Sequence, residues 1–87
     1  MKKVFHQNAW EDYLYWQKQD KKLLKRINLL IKDIERSPYE GLGKPEALKH
    51  NLSGWWSRRI TDEHRMVYRV RDDELHTVVL RYHYSSL

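Results

Sequence analysis

The last third of the chain sets arginines at spacings that matter in a strand. Within Arg65-Met66-Val67-Tyr68-Arg69-Val70-Arg71, residues 65, 69 and 71 fall on one face of an extended segment. Arg59 precedes this run, and Arg81 and His83 follow it. Several guanidinium groups on one sheet face repel each other unless an anion sits among them. A guanidinium can give a phosphate two parallel hydrogen bonds. Upstream, Lys44-Pro45-Glu46 supplies a carboxylate. A carboxylate and an imidazole can act as proton acceptor and donor at neutral pH. Glu46, His83 and the arginines together suit acid–base chemistry at a phosphodiester. Two readings stay open: an anion site, or a solvated sheet face that is merely basic. Alternation alone does not bring Glu46 to that face.

The elements that must position these groups follow from hydrophobic pattern. Strands are predicted near 55–61, 65–71 and 75–83, with Asp62-Glu63-His64 and Asp72-Asp73-Glu74 as turns. Short turns imply antiparallel pairing. Met66, Tyr68 and Val70 form one face of the middle strand, opposite Arg65, Val67, Arg69 and Arg71. In the last strand Val78, Leu80 and Tyr82 are the expected core set, with Thr77, Val79, Arg81 and His83 opposite. Placing Ile60 inward sends Ser57 and Arg59 outward. It also turns Arg58 toward the helices, with only its guanidinium reaching water. Trp55 and Trp56 fall on opposite faces.

Before these strands the chain reads as helical. Residues 2–6 suit a short first strand. Asn8 with Glu11 resembles a capping box opening a helix whose stripe carries Trp10, Tyr13, Leu14 and Gln17. Asp20 is the predicted N-cap of a second helix, where Leu23, Ile27, Leu30, Ile31 and Ile34 recur at helical spacing. Ser37-Pro38 ends it. Residues 37–54 hold both prolines and all three glycines and read as one long loop. Loops of that length are often functional, and this one carries Lys44, Glu46, Lys49 and His50. The predicted architecture is a single α+β domain over residues 1–87, with two N-terminal helices packed on one face of a small antiparallel sheet.

Composition narrows the class. Lys and Arg number 17 against 12 Asp and Glu, a net charge of +5 that attracts polyanions. Without cysteine there is no disulfide framework and no Cys-based zinc site. The start, Met1-Lys2-Lys3-Val4-Phe5-His6, lacks the apolar run of a signal peptide, and no apolar stretch approaches ~20 residues. A cytoplasmic protein that does not enter a membrane is expected. His6, His50, His64 and His76 lack metal-ligand spacing and read as structural or surface residues.

The segment Lys44-Pro45-Glu46-Ala47-Leu48-Lys49-His50-Asn51-Leu52-Ser53-Gly54-Trp55-Trp56-Ser57-Arg58-Arg59-Ile60 resembles a run found in YoeB-type toxins. Glu63-His64-Arg65-Met66-Val67-Tyr68, Arg81-Tyr82-His83-Tyr84 and the early Trp10–Trp16 run agree with the same family. The resemblance spans essentially the whole chain. It implies a RelE/ParE-superfamily fold like that of compact microbial ribonucleases, cleavage of messenger RNA in the ribosomal A site, a homodimer, and neutralisation by a YefM-like antitoxin. By that likeness Glu46 is the general base, His83 the general acid, Arg65 the phosphate holder and Tyr84 a positioning group. Lys44, Lys49, Arg59 and Arg81 are implied phosphate contacts. The nucleophile belongs to the substrate, so this chemistry needs no metal or cofactor. The competing reading in the same superfamily is a ParE-like toxin that binds a topoisomerase without catalysis. Family members commonly stop at the equivalent of Tyr84, whereas Ser85-Ser86-Leu87 follow here. That tail is expected to be harmless.

Overall fold

A computed structural model of the chain describes residues 1–82. Its elements are β1 (Lys2–Phe5), α1 (Gln7–Gln19), α2 (Lys21–Arg36), β2 (Glu46–Ala47), β3 (Trp56–Arg59), β4 (Arg65–Arg71) and β5 (Glu74–Val79). A short 3-10 turn, His50–Leu52, lies between β2 and β3. The strands form one sheet in the order β1-β5-β4-β3-β2. The pairs β3–β4 and β4–β5 are antiparallel, as expected, and so is β2–β3, whose β2 falls inside the stretch read as a loop. The pair β1–β5 is parallel: after the two helices the chain enters the sheet at the far edge with β2 and works back through β3 and β4 until β5 lies beside β1.

Asp20 separates the helices and serves both. Its backbone N–H closes α1 on the Trp16 carbonyl, and its carboxylate accepts from the N–H groups of Lys22 and Leu23 at the start of α2. The predicted stripe of α2 is the core: Ile27, Leu30 and Ile34 are fully buried and Ile31 nearly so. Burying a side chain of this size stabilises the fold by roughly 1.5–3 kcal/mol. Met66, Tyr68, Leu75 and Leu80 meet them from the sheet.

The start of α1 differs from expectation. His6 is the N-cap and makes no side-chain cap bond, so there is no capping box at Asn8. Asn8 instead lies inside the helix and donates to Asp12 and to the Val78 carbonyl. The buried stripe of α1 runs through Ala9 and Trp16, with Tyr13 beside them, while Trp10 and Leu14 are exposed.

β5 also departs from the prediction, which ran it to residue 83. Val79 lies opposite Val67 but Thr77 lies opposite Tyr68, so Val78 is an extra residue in a bulge. A bulge resets alternation. Thr77 is therefore buried opposite Tyr68, on the helix side and not outward. Val78 joins Val79 against the far face instead of entering the main core. Leu80 returns inward, and Tyr82, expected in the core, is about half exposed at 49%.

Candidate active site

Glu46 belongs to a strand and not to a structureless loop. It lies opposite Ser57 across β2–β3. Ser57 lies opposite Val67, and Val67 opposite Val79. Directly paired residues share a face, so Glu46 projects from the side that carries no helix. Next along β3 and β4, Arg59 lies opposite Arg65 on that same side. The step from Ser57 to Arg59 is two residues, about 7 Å. Glu46 and Lys49 are exposed, as are Lys44 and Arg59. The structure thus brings Glu46, Arg59 and Arg65 to one end of one sheet face.

Like charges directly opposite on a sheet repel, and Arg65 is held against that repulsion. Its Nη1 donates to the carbonyls of Thr61 (2.7 Å), Asp62 (2.9 Å) and His64 (3.2 Å). All three bonds use one nitrogen. Among the described residues no acceptor takes the Nε–Nη2 edge, the fork that fits two phosphate oxygens.

The floor of this face is apolar. Leu48, Val67 and Val79 form a small second cluster with Leu52, Trp55 and Val78 around it. The 3-10 turn closes over it, with the Leu48 N–H on the Trp55 carbonyl at 2.9 Å. Trp55 and Trp56 do fall on opposite faces, Trp55 joining this cluster and Trp56 the main core.

The C-terminal end of the described chain is gripped from both sides. The Leu80 N–H donates to the Asp12 carboxylate (3.0 Å), and the Leu80 carbonyl accepts from the Trp16 indole (2.8 Å). The Tyr82 N–H donates to Nδ1 of the buried His64 at 2.7 Å. The Tyr82 carbonyl accepts from the Arg65 N–H at 3.0 Å. The segment thus ends beside Arg65. Burial pushes the Asp12 carboxyl above its ordinary range, against the opposing effect of the Leu80 N–H. Arg81 turns away from Glu46 and lies over the Tyr15 ring of α1, 3.6 Å from its centroid. His83 and Tyr84 lie outside the described residues, as do Ser85, Ser86 and Leu87.

The largest unforeseen feature is Arg58. Expected to reach water, it is fully buried. It pairs with Asp33 of α2. Its guanidinium also donates to the carbonyls of Ser37 (2.7 Å), Glu40 (2.9 Å) and Leu42 (3.0 Å), and its Nε to the Tyr68 hydroxyl (3.1 Å). Asp33 accepts further from the Leu42 N–H and from Arg36. These bonds, the one from Arg58 first and the one from the Leu42 N–H next, hold the Asp33 carboxyl down at about 2. Gly41 has a φ of +117°, and a Cβ there would collide with the Asp33 carboxylate, so only glycine closes this loop. Gly43 then accepts the Arg59 N–H at 2.7 Å and leads into β2. The network thereby delivers Glu46 to the sheet edge. A signal existed: Asp33 stands three residues after Leu30 within the apolar stripe of α2, and a buried acid there implies a buried cation.

A family model for the YoeB-like toxin of bacterial type II toxin–antitoxin systems matches residues 5–84. Toxin YoeB of Escherichia coli strain K12 is 62% identical over 84 residues, covering 97% of this chain and 100% of that protein. The YoeB/ParE toxin from Agrobacterium tumefaciens superposes with a TM-score of 0.94 at 48% identity, covering 97% of this chain and 100% of that one. In Staphylococcus aureus, YoeB has been solved as a dimer (TM-score 0.91) and in a heterotetrameric YoeB–YefM toxin–antitoxin complex (TM-score 0.90). Each is 49% identical and covers 97% of this chain and 98% of that one. Match, sheet order and helix placement agree, and the chain belongs to the YoeB-like toxins of bacterial type II toxin–antitoxin systems.

Proposed function

We propose that the protein is a ribosome-dependent endoribonuclease that cuts messenger RNA in the A site by metal-free acid–base catalysis. One observation carries this reading. Glu46 projects onto the same helix-free face as Arg65, whose Nε–Nη2 edge meets no acceptor among the described residues. Glu46 takes the proton from a ribose 2′-hydroxyl. That oxygen attacks the adjacent phosphorus, the P–O5′ bond breaks, and His83 gives a proton to the departing O5′. The products are a 2′,3′-cyclic phosphate and a 5′-hydroxyl. Arg65 holds the equatorial oxygens as their charge grows. Tyr84 positions the acid or the substrate, Lys44, Lys49 and Arg59 bind flanking phosphates, and Arg81 does so from its place over Tyr15. The anchoring of Tyr82 to the Arg65 N–H supports a donor at residue 83, the next in sequence. The need for a 2′-hydroxyl makes DNA a poor substrate.

The solved Staphylococcus aureus assemblies support two partners for this chain in the cytoplasm: a second copy of itself and an antitoxin of the YefM kind. An acidic segment of that antitoxin would order as it binds over the basic face or against the terminal residues.

The test is messenger cleavage on programmed ribosomes with Glu46→Gln, Arg65→Ala and His83→Ala. Loss of the acid–base groups is expected to cost about 10²–10⁴-fold in rate with melting unchanged. Full cleavage by all three folded variants would overturn the mechanism. Intact messages with disturbed DNA supercoiling in expressing cells would favour the topoisomerase-binding alternative.

A further inference from the structure

Arg69, a cation on the helix-free face, has no role in the scheme above. Arg69 lies on β4 two residues from Val67, on the opposite side of the Glu46–Ser57–Val67–Val79 row from Arg65. Two strand residues span about 7 Å, of the order of one nucleotide step. Arg65 and Arg69 therefore flank the row of the proposed base. No described carboxylate lies within ion-pair distance of Arg69. Its Nε is the one buried side-chain polar atom among the described residues that lacks a hydrogen-bond partner.

The surroundings hold this guanidinium without neutralising it. Its carbon lies over the Trp55 ring, 4.4 Å from the ring centre, a cation–π contact. His76 lies directly opposite Arg69 on β5. The His76 ring is committed elsewhere, to Glu74 at 2.9 Å and to His6 at 3.2 Å. Glu74 in turn faces Lys2 at 3.8 Å. The nearby acid is engaged, and the arginine is left with an open charge on a flat aromatic support.

We infer that Arg69, backed by Trp55, is a second RNA subsite that takes the phosphate and stacks on the base of a nucleotide next to the one being cut. This rests on the nuclease reading for its orientation. A planar guanidinium over an indole is a platform on which an unstacked base can lie, and its terminal N–H groups, which have no acceptor among the described residues, suit phosphate oxygens. An acidic peptide would satisfy the charge but would leave the stacking surface unused. The alignment with Glu46 and Arg65 also favours a polynucleotide lying along β4.

The test is equilibrium binding of a non-cleavable 2′-O-methyl single-stranded RNA oligonucleotide by fluorescence anisotropy over a range of NaCl. Arg69→Gln is expected to bind about tenfold more weakly. The slope of log affinity against log salt should become shallower by about 0.7, the contribution of one single-strand phosphate contact. Arg69→Lys keeps the charge and should keep the wild-type slope while losing affinity. On ribosomes Arg69→Gln should raise KM and retain kcat. Unchanged affinity and slope in Arg69→Gln would overturn the subsite, leaving Arg69 as a cover for Trp55. So would a loss confined to an acidic antitoxin peptide, or wild-type RNA binding without salt dependence. None of these touches the nuclease reading, which Glu46→Gln judges through kcat.

Discussion

Arg58 and Arg59 are neighbours in sequence and opposites in physics. Arg58 enters the helix side, loses all contact with water and has its donors taken by Asp33, three loop carbonyls and Tyr68. Arg59 stands exposed opposite another arginine. One face of the sheet stores its charge internally, and the other leaves charge for something that arrives. A buried arginine is thus evidence about architecture, whereas an unpaired one facing a like charge is evidence about a ligand.

The sharpest way to break this comparison is Arg58→Ala. It strands Asp33 and the carbonyls of Ser37, Glu40 and Leu42 together. A loss of about 3–5 kcal/mol is expected, read by urea unfolding. That is a large share of the stability of a small domain. Replacing the pair together, Asp33→Leu with Arg58→Met, should recover little, because the loop carbonyls still lack their donors. Recovery to wild-type stability would show that the ion pair alone matters.

Acid probes the same network more gently. The Asp33 carboxyl is lowered from 3.8 to about 2 by its partners. Its contribution is therefore fully present above about pH 4 and is lost as pH falls toward 2. Asp33→Asn should remove that slope in a pH series of thermal melts. Next in size is Trp16→Phe, which removes the donor to the Leu80 carbonyl. A cost of about 1–3 kcal/mol is expected for the orphaned acceptor. Smallest is Arg59→Gln on the open face, where stability should move by no more than about 0.5 kcal/mol while RNA affinity falls. A destabilisation near that of Arg58→Ala would erase the distinction between the faces.

Much of this was legible in the chain before folding. The α2 stripe, the Asp20 cap, the β3–β4–β5 order and the outward set Ser57, Arg59, Arg65, Val67 and Arg69 follow from periods of 3.6 and 2, which depend only on local geometry. Glu46 was singled out, but its placement was not readable. It depends on a two-residue strand pairing at a distance and on loop closure around Arg58 and Asp33. The parallel β1–β5 pair was missed for the same reason: non-local pairing leaves no periodic trace. At Asn8 the capping motif lost to a competing partner, the Val78 carbonyl, supplied from seventy residues away. His64 was read as structural or surface, and its hydrogen bond to Tyr82 makes it an anchor.

The supernumerary Val78 has a consequence for how this chain tolerates insertion and deletion. Alternation in a strand behaves like a two-letter frame, and one added residue shifts everything downstream unless a bulge absorbs it. Deleting Val78 would restore unbroken pairing of β5 with β4 and leave the terminus facing as it does, because Val79 already lies opposite Val67. What would be lost is the Val78 carbonyl that accepts from Asn8 of α1, and the side chain packed against the far-face cluster. A more regular sheet would thus give up a tie between β5 and the first helix.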